Sequence, residues 1–450
     1  MFGLFTSEQK RARHDAQNWL HLADKIYHFR RDLIPAQEIQ AMLQARHELR
    51  TRLKEGADAA KLKMGMERLE GCLHKSGGAY YPKSSVVDNV EFFLVALILF
   101  LGIRAFIIQP FKIPTNSMWP TYHGMTAESF VSAEKIREGN QHDELGTVEL
   151  RPASDEPGPG ARALRWLAFG ASSRRLNAPT DGAVYVPWIP PYARFPGEQV
   201  PDRRWLVIPS EARRYTIFVG STAVAVTVPT DFRYDYLIRK TYFNEPDAME
   251  RARDDAKIHR RTVEVSVFDG HQNVRALAYL LDTGMRVHAG ERFLSFDILT
   301  GDQLFVDRVS YHFVRPSIGD GFVFRTNHIL GIEREGQYTD KYYIKRLVGV
   351  PGDTLEVKPP VLYRNGAPIE GAAAFEKSAK QEDKYPGYTA VGRLEVGSTV
   401  TVTPRHFFAM GDNSPDSADG RFWGFVPADD VIGRPLWIYF PFTKRWGPAR

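Results

Sequence analysis

The chain has 450 residues, 43% of them apolar and 25% charged, with a net charge of +5 and a single cysteine. This is ordinary globular composition with room for two or three domains, and it excludes disordered and collagen-like chains. One cysteine, Cys72, excludes an intrachain disulfide framework and a multi-cysteine zinc site, and reads as a small core residue. The charge is too mild, and too poor in basic clusters, to point to nucleic acid.

The opening "MFGLFTSEQKRARHDAQ" is not expected to be a secretory signal, because its apolar part is short and charges follow at once. Residues 8–75 read as helix. Ile39, Met42, Leu49, Leu53, Leu62, Met66, Leu69 and Leu73 recur at mostly three- to four-residue steps. Pro35 and Gly56 are breaks, giving two or three helices in a hairpin or short coiled coil, and "KSGGAYYPKSS" (75–85) reads as a linker.

"VEFFLVALILFLGIRAFII" (90–108) is the one membrane candidate. Nineteen helical residues span roughly 28 Å, close to a hydrocarbon core of about 30 Å. A buried core helix and an interfacial helix are the alternatives. Pro110 is expected to end the helix. Residues 1–89 carry 15 Lys/Arg against 11 Asp/Glu, a net +4, which leans toward a cytoplasmic N-terminus.

From about 180 onward short runs rich in Val, Ile, Tyr and Phe alternate with turn residues. Examples are "GAVYVPW", "RTVEVSVFDG", "DGFVFRT" and "TLEVK". Without regular intervening helices, an antiparallel β architecture is expected, with "ARALRWLAFGASSRR" (161–175) as the exception, a short basic amphipathic helix.

Three stretches can carry chemistry. "IPTNSMWPT" (113–121) holds Ser117 in a proline-braced segment just past the apolar run. In "YYIKRLVGVPGD" (342–353) strand alternation sends Lys345 and Arg346 to opposite faces, so one faces inward if the strand packs on a core. An inward lysine can shed its proton, whereas an arginine cannot in practice. Alternatively, both charges reach solvent on an edge strand. "MGDNSPDSADGRFWGFVP" (410–427) is a polar loop with Asp412, Ser414, Asp416, Ser417, Asp419 and Arg421 within twelve residues. No Walker A sequence, HExxH or Gly-rich fingerprint is present, and no metal or cofactor is expected.

These stretches, in this order, resemble the type I signal peptidases, membrane-bound serine–lysine endopeptidases that remove signal peptides. "FKIPTNSMWPT" resembles the nucleophile box, "GDQLFVDRVSY" and "GDGFVFR" the next strands, "YIKRLVGVPGD" the lysine box and "GDN…SADGRFWGFVP" the last box. The resemblance covers about 90–122 and 294–440. It implies Ser117 as nucleophile and Lys345 as general base. It implies that Thr115 joins the Ser117 N–H in the oxyanion hole and that Ser417 orients the lysine amine. Ile113 and Ile344 would line small substrate pockets, and Arg346 with Asp412, and Asp419 with Arg421, would form supporting ion pairs. Asn116 stands where Gly or Glu is frequent, and Gly420 where Ser is.

The implied fold is mainly β: an antiparallel catalytic domain with a large inserted β-rich module, an N-terminal α-helical region and one transmembrane helix. The expected divisions are 1–89, a cytoplasmic helical region and linker; 90–108, the span; 109–122, the nucleophile segment; 123–293, the inserted module; and 294–450, the rest of the catalytic domain. The insertion holds none of these motifs and is expected to be separable from the chemistry. The implied partners are preprotein signal peptides and the lipid bilayer, with the export machinery a candidate and no nucleic acid. The implied location is the bacterial inner membrane, with the catalytic domain outside. A self-cleaving repressor-type Ser–Lys protease is the rival enzyme, but it would have a DNA-binding helix-turn-helix and no span. A membrane-anchored scaffold with a dead protease fold is the rival from another class.

Overall fold

A computed structural model describes residues 8–82, 85–138, 146–190, 195–204, 208–245, 247–332 and 340–449. The chain divides into two compact units, Met1–Leu101 and Gly102–Arg450.

The first unit contains three amphipathic helices, α1 (Glu8–Arg30), α2 (Ala36–Lys54) and α3 (Ala59–Ser76). Each buries one stripe, such as Ala16, Leu20, Ala23 and Ile26 of α1 and Leu62, Leu69 and Leu73 of α3, and the stripes share one core. Asp58 caps α3 by accepting from the Lys61 N–H at 2.8 Å. The breaks fall at Pro35 and around Gly56, and Cys72 packs half-buried against the core. Part of the expected linker, residues 83–84, lies outside the described residues.

The fourth helix, α4 (Ser85–Phe106), is apolar on every side over residues 92–103, with Asp88, Glu91 and Arg104 toward its ends, and none of its residues is buried. It is long and apolar enough to cross a membrane. It stops at Phe106 rather than at 108, because Ile108 already belongs to strand Ile108–Lys112. Pro110 therefore does not end the helix. It lies inside that strand, opposite Phe305, where an edge position tolerates its missing N–H.

The second unit is built on an eight-stranded antiparallel sheet. Its order is Ile108–Lys112, Gln303–Asp307, Val431–Phe440, Gly321–Arg325, Tyr342–Gly349, His406–Met410 and Phe425–Pro427, with Gly447–Pro448 added to Val431–Phe440. Both faces are covered. Val323, Ile113, Met118 and Tyr122 pack with Ile344 on one side, and Phe322, Phe324, Leu347 and Trp423 pack together on the other. A second, four-stranded sheet spans Thr354–Thr401 and has its own core around Leu355, Val357 and Leu362.

Residues 126–299 form the β-rich insertion. A four-stranded sheet and a six-stranded sheet share one core that includes Val184, Ile217, Leu281 and Phe296. The expected boundary at 293 falls inside strand Arg292–Leu299, which pairs with Thr126–Val131 and Ser172–Asn177. Two features depart from the sequence reading. Thr126–Val131 and Val148–Pro152 pair in parallel, and besides the helix expected at 161–175, which forms at Pro159–Phe169 and gives way to strand Ser172–Asn177, helices Tyr234–Tyr242 and Ala248–Ile258 interrupt the strands. The last two are short and strongly charged, so they lack the long apolar period by which sequence inspection recognises helices.

Candidate active site

The segment that carries Ser117 enters from the edge strand and turns sharply. The Ile113 N–H donates to the Asp302 carbonyl at 2.9 Å, and Trp119 N–H and Tyr122 N–H donate to the carbonyls of Asn116 and Met118 at 3.0 and 2.9 Å. Asn116 holds this turn from within. Its Oδ1 accepts from the Gly124 N–H at 2.7 Å, and its Nδ2 donates to the Gly146 carbonyl at 3.1 Å and to Thr147 Oγ1 at 3.3 Å. Gly124 crosses so closely over Thr115 that an added Cβ would lie 2.3 Å from the Thr115 carbonyl carbon. The other side of the turn is pinned by Asn413, whose N–H donates to the Ser117 carbonyl at 3.1 Å and whose Nδ2 donates to the Asn116 carbonyl at 3.1 Å.

Strand Tyr342–Gly349 lies between two neighbours, so the edge-strand alternative for Lys345 and Arg346 does not hold and both are buried. They meet burial differently. Arg346 stays charged and is paired. Its Nε and Nη2 donate to the two Asp412 carboxylate oxygens at 2.7 and 2.6 Å, and its Nη1 donates to the Gly319 carbonyl at 2.6 Å. Among the described residues Lys345 has no carboxylate partner. Its Nζ lies 2.5 Å from Ser117 Oγ and 5.5 Å from the centroid of the Tyr343 ring. Burial lowers its pKa from 10.5 to about 8, and the fields of Asp419 and Asp412 oppose this only in part. Leu347 and Tyr343 supply apolar surroundings.

The last loop carries the second ion pair. Arg421, fully buried, donates from Nε and Nη2 to Asp419, each at 2.8 Å, and from Nη1 to Thr389 Oγ1 at 2.7 Å and Ser414 Oγ at 2.6 Å. Asp419 also accepts from the Gly411 N–H at 3.0 Å. Gly411 is required by close approach, since an added Cβ would lie 2.3 Å from Ser417 Oγ and 2.4 Å from the Ser117 carbonyl oxygen.

The structure therefore brings together Ser117 and Lys345, pairs Arg346 with Asp412 and Asp419 with Arg421, and places Ile113 and Ile344 in one apolar cluster. Thr115 is exposed beside the turn. The Ser417 hydroxyl is buried within the same loop but makes no hydrogen bond, so it does not hold the Lys345 amine in this structure.

The sequence reading missed the structural part of Asn116 and of Gly411. The departure at Asn116 was itself the signal, since a buried amide in a turn needs partners. It also missed that the insertion touches the site. Gly146 and Thr147 hold Asn116, and Arg233 with Tyr236 reaches Asp416 in the last loop. The insertion is thus not independent of the turn that carries Ser117.

A hydroxyl beside a buried amine of lowered pKa can act as a nucleophile without histidine. Residues 294–440 match the family described as "Signal peptidase, peptidase S26". A probable signal peptidase I-1 of Synechocystis is 35% identical over 147 residues, 33% of this chain and 66% of that protein. Signal peptidase I of Bacillus amyloliquefaciens is 35% identical over 138 residues, 28% of this chain and 69% of that protein. A signal peptidase I crystal structure from Enterococcus faecalis aligns at 26% identity over 27% of this chain and 97% of that one, with a TM-score of 0.19. By sequence, the chain belongs to the signal peptidase I family and is a serine peptidase, a hydrolase of peptide bonds.

Proposed function

We propose that this protein is a membrane-anchored signal peptidase in which Ser117 and Lys345 form the catalytic dyad. The observation that carries this reading is the 2.5 Å contact between Lys345 Nζ and Ser117 Oγ, made by residues 228 positions apart. The substrate is the signal peptide of an exported preprotein. The apolar cluster of Ile113 and Ile344 favours small side chains at the first and third positions before the cut.

Ser117 Oγ attacks the scissile carbonyl carbon while its proton passes to the neutral Lys345 amine. The carbonyl oxygen takes the negative charge and is met by the Ser117 N–H and the Thr115 hydroxyl. As the tetrahedral intermediate collapses, the lysine ammonium gives its proton to the leaving amine and the acyl-enzyme remains. Water then attacks the ester, again losing its proton to Lys345, and Ser117 is released. Arg346–Asp412 and Asp419–Arg421 fix the strand and loop around the dyad. Ser417, buried in the same loop, is the positioning residue for the amine.

Helix α4 anchors the chain in the bacterial inner membrane, with the catalytic unit on the outer side, where the export machinery delivers preproteins. The apolar surface of α4 over residues 92–103 supports the anchor. The catalytic reading is tested with a labelled preprotein and purified protein. Ser117→Ala and Lys345→Arg should each abolish cleavage while keeping the fold, because a guanidinium cannot accept the serine proton. Substantial cleavage by folded Lys345→Arg would overturn the dyad.

A further inference from the structure

The helix Pro159–Phe169 in the insertion carries the wrong face outward for a water-exposed element. Its exposed residues are Pro159, Gly160, Ala161, Ala163, Leu164, Trp166 and Leu167, without a charge among them. Leu164, Trp166 and Leu167 are 69%, 53% and 61% exposed. The charged side is turned in. Arg165 pairs with Glu128 and lies 3.4 Å from the fully buried Asp297, and no acidic residue occurs in the helix. These contacts hold the Arg165 side of the helix against the rest of the insertion and leave its apolar side outward.

Its position is tied to the exit of the span. Arg308 Nη1 donates to the Ala105 carbonyl at 2.7 Å, and strand Ile108–Lys112 follows at once. Lys112 lies opposite Gln303, and Gln303 opposite Phe440. Four strand steps and two strand spacings put Phe440 roughly 16 Å from Ile108. Two residues on, the Phe442 N–H donates to the Ala168 carbonyl at the helix end, at 3.0 Å. Phe442 is itself 59% exposed and Lys444 is exposed beside it. A helix with Leu and Trp outward, a basic flank and this distance from a membrane exit has the character of an interfacial helix.

We infer that helix Pro159–Phe169 lies in the headgroup–acyl boundary of the bilayer, as a second membrane contact that fixes the height and tilt of the catalytic unit. The inference rests on the reading of α4 as a span. Its occupant is lipid, not a second copy or another protein.

The experiment uses the full chain with its one cysteine replaced (Cys72→Ser), carrying a polarity-sensitive fluorophore on a cysteine introduced at Leu167, at Leu97 in α4 or at Gln272 in an exposed turn. The protein is reconstituted in vesicles of phosphatidylcholine and phosphatidylglycerol. The expected result is a blue-shifted Leu167 label quenched by lipids carrying a shallow nitroxide, a Leu97 label quenched by deep nitroxides, and a Gln272 label quenched by neither. A Leu167 label as water-exposed as that at Gln272, with Leu97 embedded, would overturn the inference and leave the span standing. A water-exposed Leu97 label would instead overturn the span. Shielding of Leu167 that appears only at high protein-to-lipid ratio would assign the face to a second copy, and shielding that needs other membrane proteins would assign it to a partner; either result rejects the inference. With Leu164→Glu, Trp166→Glu and Leu167→Glu combined, preprotein cleavage in vesicles should fall while cleavage of a short soluble peptide in detergent is kept.

Discussion

Lys345→Met should make the protein inactive and, at neutral pH, more stable. The amine is buried, and its pKa falls from 10.5 to about 8. At about 1.36 kcal/mol per tenfold change in proton affinity, the fold disfavours the ammonium by about 3 kcal/mol. The sign follows from proton counting. Between about 8 and 10.5 the unfolded chain holds a proton that the folded chain does not, so stability contributed by this residue rises with pH across that window. Below about 8 the whole penalty is present; above 10.5 it is absent. Methionine has similar reach and no charge, and loses only the contact to Ser117, worth about 1 kcal/mol. The variant should therefore gain about 2 kcal/mol at pH 7, and the gain should vanish at about pH 10 and become a loss of about 1 kcal/mol at pH 10.5, where only the lost contact remains. Denaturant titrations in mild detergent at pH 7 and pH 10, followed by tryptophan fluorescence, measure it. Equal or lower stability at pH 7, or a gain that does not shrink with pH, would refute the burial argument. The same lowered pKa predicts that wild-type kcat/KM rises roughly tenfold from pH 7 to 9 and then levels.

Asp412→Ala leaves Arg346 charged and buried without its carboxylate, and should cost about 3–5 kcal/mol, read as a lowered denaturation midpoint; a loss below about 1 kcal/mol would show that the pair is solvated. Asn116→Ala strips the Gly124 N–H, the Gly146 carbonyl and Thr147 of their partner. It should cost about 1–3 kcal/mol and lower kcat more than it raises KM, because the turn carrying Ser117 loosens; unchanged kcat would detach the insertion from the chemistry. Reporters fused after Ser7 and after Arg450 should report opposite sides of the membrane, and both on one side would contradict a single span.

Much of the site was legible because its chemistry sits in short local patterns. A proline-braced serine after an apolar run, a Lys-Arg pair in a β-branched strand and a loop dense in Asp and Ser are visible without coordinates. The apolar run also pointed to a candidate span, since between Glu91 and Arg104 no residue supplies a polar face to pack in water. What the sequence left open was which charge faces inward. It offered a choice between an inward lysine and an edge strand, and the strand proved central, with Lys345 and Arg346 both buried. That outcome depends on partners far along the chain: Asp412 neutralises Arg346, and Ser117 meets Lys345 across 228 residues. Local periodicity carries no information about such distant pairings. The same limit hid the support that Gly146 and Thr147 give to Asn116, and the outward turn of Leu164, Trp166 and Leu167, which is set by Glu128 and Asp297 holding Arg165 from two different strands. Composition determined that the helix is amphipathic; only the tertiary ion pairs decided which side meets the surroundings.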